Sequence, residues 1–388
     1  MAPVADHAAA VLTVDLGAVV ANWQLLRERL RPGANLGAAV KANAYGLGAR
    51  EVTAALAAAG CRSFFVATIE EGIEVRAVLA GASEATTPSA AAVYVLNGLL
   101  PGADEALIAH SLTPVLNSLG DIAAWSAIAR RREARLPAAL HIDTGMARLG
   151  LPADELARLV QDPNQLAGVA PVLVMSHLAC ADQPEHPLNE GQRQTFAEAL
   201  IALAPVLAPA RPQASLANSA GIFLGHPYHF DLARPGAALY GVQPLAGGPN
   251  PMRPVVTLRA RILQVRTVAP PKTVGYGATY AVAQPSRIAT VAVGYADGYL
   301  RSLSNRGRAT LGAFEVPLVG RVSMDLITVD VSAVPAEIAC PGAFVELIGA
   351  AQTVDAVAAR AGTIGYEILT ALGSRYARVY RAADAPQR

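Results

Sequence analysis

One lysine stands where its chemistry would be unusual. Lys41 follows the apolar run 36–40, which predicts a buried strand of the kind found in parallel sheets, and a turn with Gly46 and Gly48 leads into a helical pattern over 49–59. A lysine at such a strand end has two interpretations. Its ammonium group reaches solvent along the methylene chain, or burial keeps the amine partly neutral, so that it can form a Schiff base with a carbonyl compound.

Polar residues also follow three later predicted strands and lie within a fourth. They occur in the segments 141–150, 176–182, 217–220 and 230–237. Taken alone, each side chain is more often structural, and Arg234, for example, could pair with Asp231. Polar residues at so many strand ends are instead typical of an active site at one end of a barrel, where functional groups collect.

A tyrosine between two glycines is another candidate. The segment 274–278 reads Val-Gly-Tyr-Gly-Ala, and its glycines would leave the ring of Tyr276 unshielded. The alternative is an ordinary aromatic residue of a hairpin turn. Because a free tyrosine has a pKa of about 10, Tyr276 needs nearby cations to act as a base. Arg148 and His177 are the candidates.

The elements that must position these residues alternate between strand and helix. Strand-like runs occur at 36–41, 63–68, 92–96, 113–116, 138–143, 171–176, 213–217 and 230–240. Helical patterns occur at 16–30, 69–79, 121–132, 152–160 and 190–207. Eight strands alternating with helices predict an α/β fold, a (β/α)₈ TIM-type barrel. A doubly wound sheet is the alternative, but no Gly-x-Gly-x-x-Gly follows the first strand.

The pattern changes near residue 248. From Val255 onward, β-branched residues alternate with polar ones, which predicts a mainly β domain. The runs are 255–268, 288–293, 309–311, 316–322, 326–331, 344–347 and 376–380, with short helices at 354–361 and 366–372. We therefore divide the chain into a barrel domain, 1–248, and a second domain, 249–388.

The composition excludes several classes of partner. The 388 residues carry a net charge of +1 without a charged block, which argues against nucleic acid and membrane surfaces as partners. Cys61, Cys180 and Cys340 are too widely spaced for a disulfide framework or a metal site. Residues 1–10 lack the basic start of a signal peptide, and the apolar stretch 200–210 is too short to cross a bilayer. We expect a cytoplasmic protein.

The string Val-Lys-Ala-Asn-Ala-Tyr-Gly-Leu-Gly at 40–48 resembles the cofactor-lysine motif of the alanine racemases, which are fold-type III pyridoxal-phosphate enzymes. The resemblance extends from about residue 11 to 380. It implies that pyridoxal 5'-phosphate binds Lys41, that strand 11–15 belongs to the second domain, and that the enzyme supplies D-alanine for peptidoglycan. It also implies a head-to-tail homodimer, in which Lys41 acts on one face of the substrate and Tyr276 of the partner subunit on the other.

The resemblance implies roles for further residues. Arg234 would face the pyridine nitrogen and, because an arginine does not accept a proton, would leave the cofactor a weaker electron sink. His177 would lie beside the ring, and Arg148 would contact the ring oxygen and the substrate carboxylate. The phosphate would be held by Tyr45, Ser219, Gly236, Ala237 and Tyr366. Tyr295 would narrow the entrance, and the backbone of Met324 would meet the substrate carboxylate.

Two positions depart from the family pattern. Many members have a carbamylated lysine where this chain has His141, so a bound anion or a nearby acid would have to orient Arg148 instead. Ser215 stands where some relatives have a histidine behind the pyridine-facing arginine, which would change the tuning of Arg234.

Other functions remain alternatives. One is a racemase of broader specificity, or for serine, on the same scaffold. Another is a non-catalytic carrier of pyridoxal phosphate, although such carriers consist of the barrel alone. A decarboxylase of the same fold type lacks support, since no matching cysteine-bearing loop is found.

Overall fold

The computed structural model describes residues 7–81 and 91–382. Residues 1–6, part of the stretch used above to argue against a signal peptide, lie outside the described residues. The barrel strands and those before them are β1 (Ala10–Asp15), β2 (Asn35–Leu36), β3 (Ala38–Ala39), β4 (Ser63–Val66), β5 (Ala92–Val95), β6 (Thr113–Leu116), β7 (Leu136–His141), β8 (Val169–Met175), β9 (Gln213–Ser215) and β10 (Leu232–Ala233). The later strands are β11 (Val256–Val268), β12 (Thr273–Val274), β13 (Tyr280–Ala281), β14 (Ser286–Val291), β15 (Arg308–Leu311), β16 (Phe314–Pro317), β17 (Ile327–Asp330), β18 (Phe344–Ile348) and β19 (Ala377–Arg381).

Helices cover the outside of the barrel and complete the second domain. They are α1 (Leu16–Glu28), α2 (Ala49–Ala58), α3 (Ile69–Gly81), α4 (Asp104–Ala109), α5 (Leu119–Arg131), α6 (Ala153–Gln161), α7 (Pro187–Leu207), α8 (Val354–Ala361) and α9 (Gly365–Ala371). Asp15, Ser118 and Thr353 cap α1, α5 and α8, because each side chain accepts a hydrogen bond from a backbone N–H of the first turn.

The predicted (β/α)₈ barrel is confirmed, and the doubly wound alternative is wrong. Strands β3 to β9 form a parallel sheet in sequential order, and β2 pairs in parallel with β10. Strands β2 and β3 are one strand interrupted at Gly37, whose N–H donates to Ala233 O at 2.9 Å. On the other side, Arg234 N donates to Ala217 O at 2.9 Å, so the ring of strands is closed. A Cβ at Gly37 would lie 2.8 Å from Ser63 O, which explains the glycine there.

Several predicted barrel strands extend past the observed ones, and for two of them the structure shows the cause. The run 36–41 is a strand only to Ala39, because Lys41 already begins a turn of the opposite hand. The run 230–240 is a strand only over Leu232–Ala233. Pro235 follows it and has no N–H to donate, and Ala237–Tyr240 form a 3₁₀ turn.

The second domain is built on one large mixed sheet. Its strand order is β16-β15-β18-β11-β1-β19, and β14 joins β11 to β17. The N-terminal strand β1 lies in this sheet, antiparallel to β11 with Leu12 opposite Leu258, and parallel to β19 with Leu12 opposite Arg378. The first and last strands of the chain therefore lie side by side. Within residues 7–81 and 91–382, none of the helices is both long and apolar enough to span a bilayer.

Candidate active site

A cavity of about 590 Å³ lies at the carboxyl ends of the barrel strands. The residues singled out in the sequence that line it are Lys41, Tyr45, Arg148, His177, Ser219, Arg234, Gly236, Ala237 and Tyr366. Three of these side chains are lysine or arginine, and among the described residues that line the cavity there is no Asp or Glu. The cavity therefore suits an anionic ligand.

The turn that carries Lys41 is left-handed. The φ angles of the next four residues, none of them glycine, are 53°, 53°, 51° and 56°. Each L-residue in this region costs roughly 1–2 kcal/mol, so contacts from outside must hold the turn. Asn43 Oδ1 accepts a hydrogen bond from Ala49 N at 2.7 Å, which ties the turn to the start of α2. Gly46 ends the turn, also with a positive φ. Only glycine fits there, because a Cβ would lie 2.5 Å from Leu369 O.

The sequence analysis missed Glu71, which braces the same turn. Its Oε1 accepts a hydrogen bond from Ala42 N at 2.6 Å, and its Oε2 accepts one from Ala67 N at 2.7 Å. Glu71 N also donates to Thr68 Oγ1 at 3.4 Å, and Thr68 N to Glu71 Oε2 at 3.4 Å, which is a capping box at the start of α3. The Thr-Ile-Glu-Glu string signals that helix start, but nothing in it indicates the bond to Ala42.

Burial lowers the pKa of Lys41, and the nearby charge of Arg148 lowers it further, while Glu71 raises it. A lowered pKa increases the fraction of neutral amine at physiological pH, and the neutral amine is the form that attacks a carbonyl carbon. The surroundings of Lys41 therefore fit the interpretation of a partly neutral amine better than that of a solvated ammonium group.

Arg234 lies buried at the centre of a hydrogen-bond network. Its Nη1 donates to Ser215 Oγ at 2.5 Å, and its Nη2 donates to Ser176 O at 2.6 Å and to His177 Nδ1 at 3.3 Å. Ser215 Oγ in turn donates to Leu232 O. The serine that departs from the family pattern thus backs the arginine with a hydroxyl group, which accepts from it without adding charge.

The salt bridge considered as an alternative for Arg234 does not form. Asp231 instead pairs with Arg31, with Nη2 and Oδ1 2.8 Å apart. Burial lowers the pKa of Arg234 to about 9, so it remains a cation at neutral pH. Its guanidinium carbon lies 5.8 Å from the centroid of the Phe65 ring, another cavity residue that the sequence analysis missed.

The tautomer of His177 follows from its contact with Arg234. A guanidinium can only donate, so His177 Nδ1 must accept, and the neutral imidazole carries its proton on Nε2. Burial and then the charge of Arg234 hold the pKa of His177 well below its usual value. His177 is therefore a neutral group beside a buried cation.

A cradle of hydroxyl and backbone groups lies beside the start of the 3₁₀ turn Ala237–Tyr240. Ser219 Oγ accepts hydrogen bonds from Gly236 N at 2.9 Å and Ala238 N at 3.2 Å. A Cβ at Gly236 would lie 2.2 Å from Tyr45 Oη, so glycine is required for the tyrosine to approach. Burial raises the pKa of Tyr45 and of Tyr366, which keeps both hydroxyl groups protonated. These donors and the basic walls fit the phosphate and ring of pyridoxal phosphate.

The loop that carries Arg148 folds back onto its own strand. Leu151 N donates to His141 O at 2.8 Å, and Asp143 N donates to Leu151 O at 3.0 Å. Asp143 Oδ1 accepts three further hydrogen bonds, at 3.0, 3.0 and 3.1 Å, from the N–H groups of Gly145, Met146 and Ala147. This carboxylate oxygen is therefore committed to the turn that presents Arg148.

Tyr276, Tyr295 and Met324 do not line the cavity of their own chain. They lie on an exposed loop cluster formed by residues 275–279, 294–297 and 320–326, and their exposed fractions are 72%, 43% and 55%. Tyr295 N donates to Ser323 O at 3.0 Å, and a Cβ at Gly277 would lie 2.9 Å from Arg321 Nη1, so the three loops pack together. Tyr276 lies in the turn between β12 and β13, as the hairpin interpretation predicts.

Comparison with known proteins gives one consistent result. The family model described as "Alanine racemase, N-terminal domain" matches residues 14–244, and "Alanine racemase, C-terminal domain" matches residues 255–380. The chain is 54% identical to the alanine racemase of Rhodospirillum rubrum, over 97% of this chain and 96% of that protein. It is 48% identical to the "Alanine racemase, catabolic" of Agrobacterium fabrum, over 97% of this chain and 93% of that protein.

Solved structures give the same result. The crystal structure of alanine racemase from Bartonella henselae with covalently bound pyridoxal phosphate aligns with a TM-score of 0.89 at 39% identity, covering 96% of this chain and 100% of that chain. The biosynthetic alanine racemase of Pseudomonas aeruginosa aligns with a TM-score of 0.84 at 37% identity, covering 96% of this chain and 99% of that chain.

Proposed function

The chain belongs to the alanine racemase family, the pyridoxal-phosphate-dependent isomerases of L- and D-alanine, and we propose that its Lys41 and Tyr276 carry the two proton transfers of that reaction. One observation supports these roles above all. Lys41, with its lowered pKa, stands in a cavity that has basic groups and hydroxyl donors in its wall.

The residues around the cofactor site have separate tasks. Pyridoxal phosphate, when bound to Lys41, supplies an electron sink that acidifies the Cα proton of an amino acid. Three of the five N–H groups of Arg234 already donate to protein atoms, so two remain for the pyridine nitrogen. Because the guanidinium keeps its protons at neutral pH, that nitrogen would stay unprotonated. Ser219, Gly236 and the two cavity tyrosines would hold the phosphate.

Racemisation needs an acid–base group on each face of the α-carbon. Lys41 Nζ moves the proton on one face, and the hydroxyl group of Tyr276 moves it on the other. The two tyrosines that line the cavity, Tyr45 and Tyr366, are poorer bases because burial raises their pKa. Tyr276 is largely exposed and lies outside the cavity of its own chain. We therefore propose a head-to-tail homodimer, in which the exposed loop cluster of one subunit closes the barrel cavity of the other.

The same arrangement determines which substrates fit. The planar fork of Arg148 binds the substrate carboxylate from the barrel side. Tyr295 and Met324 from the loop cluster of the partner subunit complete the pocket and narrow its entrance. A pocket closed in this way favours the methyl side chain of alanine over larger ones, because a larger side chain would have to displace packed atoms.

Subunit mixing tests whether the site is shared. The variants Lys41→Ala and Tyr276→Phe are each expected to be inactive, but a mixed dimer contains one site with both groups intact. After random mixing, about a quarter of wild-type activity should return, since half the dimers are mixed and half their sites are complete. If mixing restores nothing while mixed dimers form, the two groups do not meet across an interface.

Chiral chromatography tests the reaction itself. Purified, cofactor-loaded protein is incubated separately with L-alanine, L-serine and a few larger amino acids. Rapid formation of D-alanine alone is the expected result. D-serine or larger D-amino acids at comparable rates would instead support the broader-specificity alternative, and no D-product at all from any substrate would contradict the proposed function.

The cellular role follows from the product. We propose that the enzyme supplies D-alanine for peptidoglycan from the cytoplasm, a compartment that suits its three free thiols. Deletion of the gene should make growth depend on added D-alanine. Unimpaired growth of the deletion strain without D-alanine would contradict this role.

A further inference from the structure

The residue in place of the family's carbamylated lysine has a defined hydrogen-bond state. His141 is buried at the end of β7, and its Nδ1 lies 2.8 Å from Asn117 Oδ1. The side-chain amide of Asn117 cannot be flipped, because its Nδ2 already donates to Val115 O at 3.0 Å and to Leu96 O at 3.4 Å. Its Oδ1 must therefore accept, and His141 Nδ1 must carry the proton.

The other ring nitrogen of His141 is then a hydrogen-bond acceptor. Burial and then the charge of Arg234 lower the pKa of His141 to about 4; Asp143 raises it, and Arg148 lowers it by less, so the ring is neutral at physiological pH. A neutral ring with its proton on Nδ1 has a free lone pair on Nε2. Among the described residues, Nε2 has no hydrogen-bond partner.

The unpartnered edge of the ring faces the loop that carries Arg148. Cδ2, the atom bonded to Nε2, lies 3.2 Å from where a Cβ on Gly150 would be, and Gly150 is two residues after Arg148. Leu151 pairs back onto His141, which holds the loop over the imidazole. His141 and Arg148 also line the same cavity.

We propose that His141 is a positioning residue that orients Arg148 by accepting a hydrogen bond from its guanidinium at Nε2, with Asn117 selecting the tautomer. This inference rests on the proposed role of Arg148 in binding the substrate carboxylate. In this arrangement a neutral hydrogen-bond acceptor takes the place of the charged carbamate.

The same contacts argue against the bound anion and the nearby acid considered from the sequence. A bound anion would be repelled by the lone pair on Nε2. The acid in this loop is Asp143, and one of its oxygens already accepts from three backbone N–H groups.

The tautomer can be observed directly. The chain has seven histidines, so the holoenzyme labelled with ¹⁵N-histidine gives a tractable spectrum, and the signals of His141 are those lost in His141→Gln. At pH 7 we expect a neutral ring with a protonated Nδ1 and an unprotonated Nε2. A protonated Nε2 would overturn the inference, whether or not the enzyme racemises alanine. Failure to racemise alanine would instead overturn the proposed function.

Variants test the consequence for carboxylate binding, with acetate as the probe and the visible absorbance of the holoenzyme as the readout. His141→Leu should raise the acetate Kd and the KM for alanine about tenfold, as the loss of a hydrogen bond to a charged group predicts. His141→Gln, which can place a carbonyl oxygen near the position of Nε2, should stay within about threefold of wild type. His110→Leu is the control, because His110 is exposed and immediately follows α4. It should change neither the acetate Kd nor the KM for alanine.

A further variant separates this inference from simple packing. Asn117→Asp keeps the shape but adds a negative charge that favours the imidazolium, so Nε2 becomes a donor and acetate should bind as weakly as in His141→Leu. Equal losses of acetate affinity in His141→Leu and His141→Gln would overturn the inference. A wild-type acetate Kd that falls more than about threefold when chloride replaces sulfate at constant ionic strength would also overturn it, in favour of a bound anion.

Discussion

The barrel end and the exposed loop cluster form their parts of the site in different ways. At the barrel end, Arg234 and His177 are bound to each other and to neighbouring atoms before any ligand arrives. On the loop cluster, Tyr276 and Met324 are largely exposed, and their positions depend on backbone contacts between loops. Arg234 thus belongs to a buried network, whereas the groups that we propose complete the site lie on an exposed surface. The following predictions test this division, from the largest expected effect to the smallest.

Removal of Lys41 should have the largest effect. Lys41→Ala loses both the attachment point of the cofactor and one acid–base group, so racemisation should fall at least about ten-thousandfold, and the visible absorbance of the bound cofactor should disappear. The chain has one other lysine, Lys272, which is exposed and serves as the control. Lys272→Ala should keep the cofactor attached. Borohydride reduction and peptide mapping that found the cofactor on Lys272 would contradict this prediction.

Tyr276→Phe should separate chemistry from binding. Loss of one general acid–base group should lower racemisation about a thousandfold. The cofactor Kd should not change, because the groups proposed to hold the ring and phosphate line the cavity and none of them is on the loop cluster. Tyr280→Phe, on the next strand of the same hairpin, is the matched control and should stay near wild type. Equal losses of cofactor affinity and activity would make Tyr276 a structural residue.

Gly236→Ala should damage the barrel half without touching the loop cluster. The new methyl group would overlap Tyr45 Oη, and overpacking of this kind costs about 1–3 kcal/mol, so cofactor affinity should fall by up to about a hundredfold. Equilibrium dialysis measures the change. Gly191→Ala is the control, because it lies in α7 with open space around it, and it should leave the cofactor Kd unchanged. Unaltered cofactor affinity in Gly236→Ala would mean that this cradle does not bind the phosphate.

Acid should affect the barrel half through its buried histidines. The pKa of His141 is lowered to about 4 in the folded chain, so the unfolded chain binds a proton more readily between about pH 6.5 and pH 4. The contribution of His141 to folding is present above that window and is lost as pH falls through it. At pH 5 the loss is about 2 kcal/mol, measured by denaturant unfolding of wild type against His141→Gln. A difference between the two proteins that did not depend on pH would contradict the expected protonation.

The sequence predicts most of this architecture because its signals are local. Apolar runs after turn residues locate the barrel strands, and alternation locates β11 and β18. The predicted length of the strand at 230–240 is wrong, because the observed strand ends before Pro235 and a 3₁₀ turn that no periodicity in the sequence indicates. The polar cluster at 141–150 could likewise be found, since it follows a strong strand signal.

Other features of the site could not be predicted, because they depend on distant residues. The left-handed turn after Lys41 has no propensity signal in Ala-Asn-Ala-Tyr, and Glu71 braces it from another helix. Asn117, which determines the tautomer of His141, follows an apolar strand, and nothing in the local sequence indicates its bond to His141. In each case the missing information is a contact between residues that follow different strands, which only the closed barrel brings together.

The left-handed turn also affects the order in which a newly made chain can become functional. Arg378 Nη1 donates to Gly46 O at 2.7 Å, and Leu369 O packs against the same glycine, so the last segments of the chain hold the turn beside Lys41. The first strand, β1, likewise has β11 and β19 as its neighbours. A nascent chain that has not reached residue 366 therefore lacks both of these supports, although Asn43 and Glu71 already brace the lysine turn. It also lacks Tyr366 in the cavity wall, so the cavity is complete only after the second domain has been made.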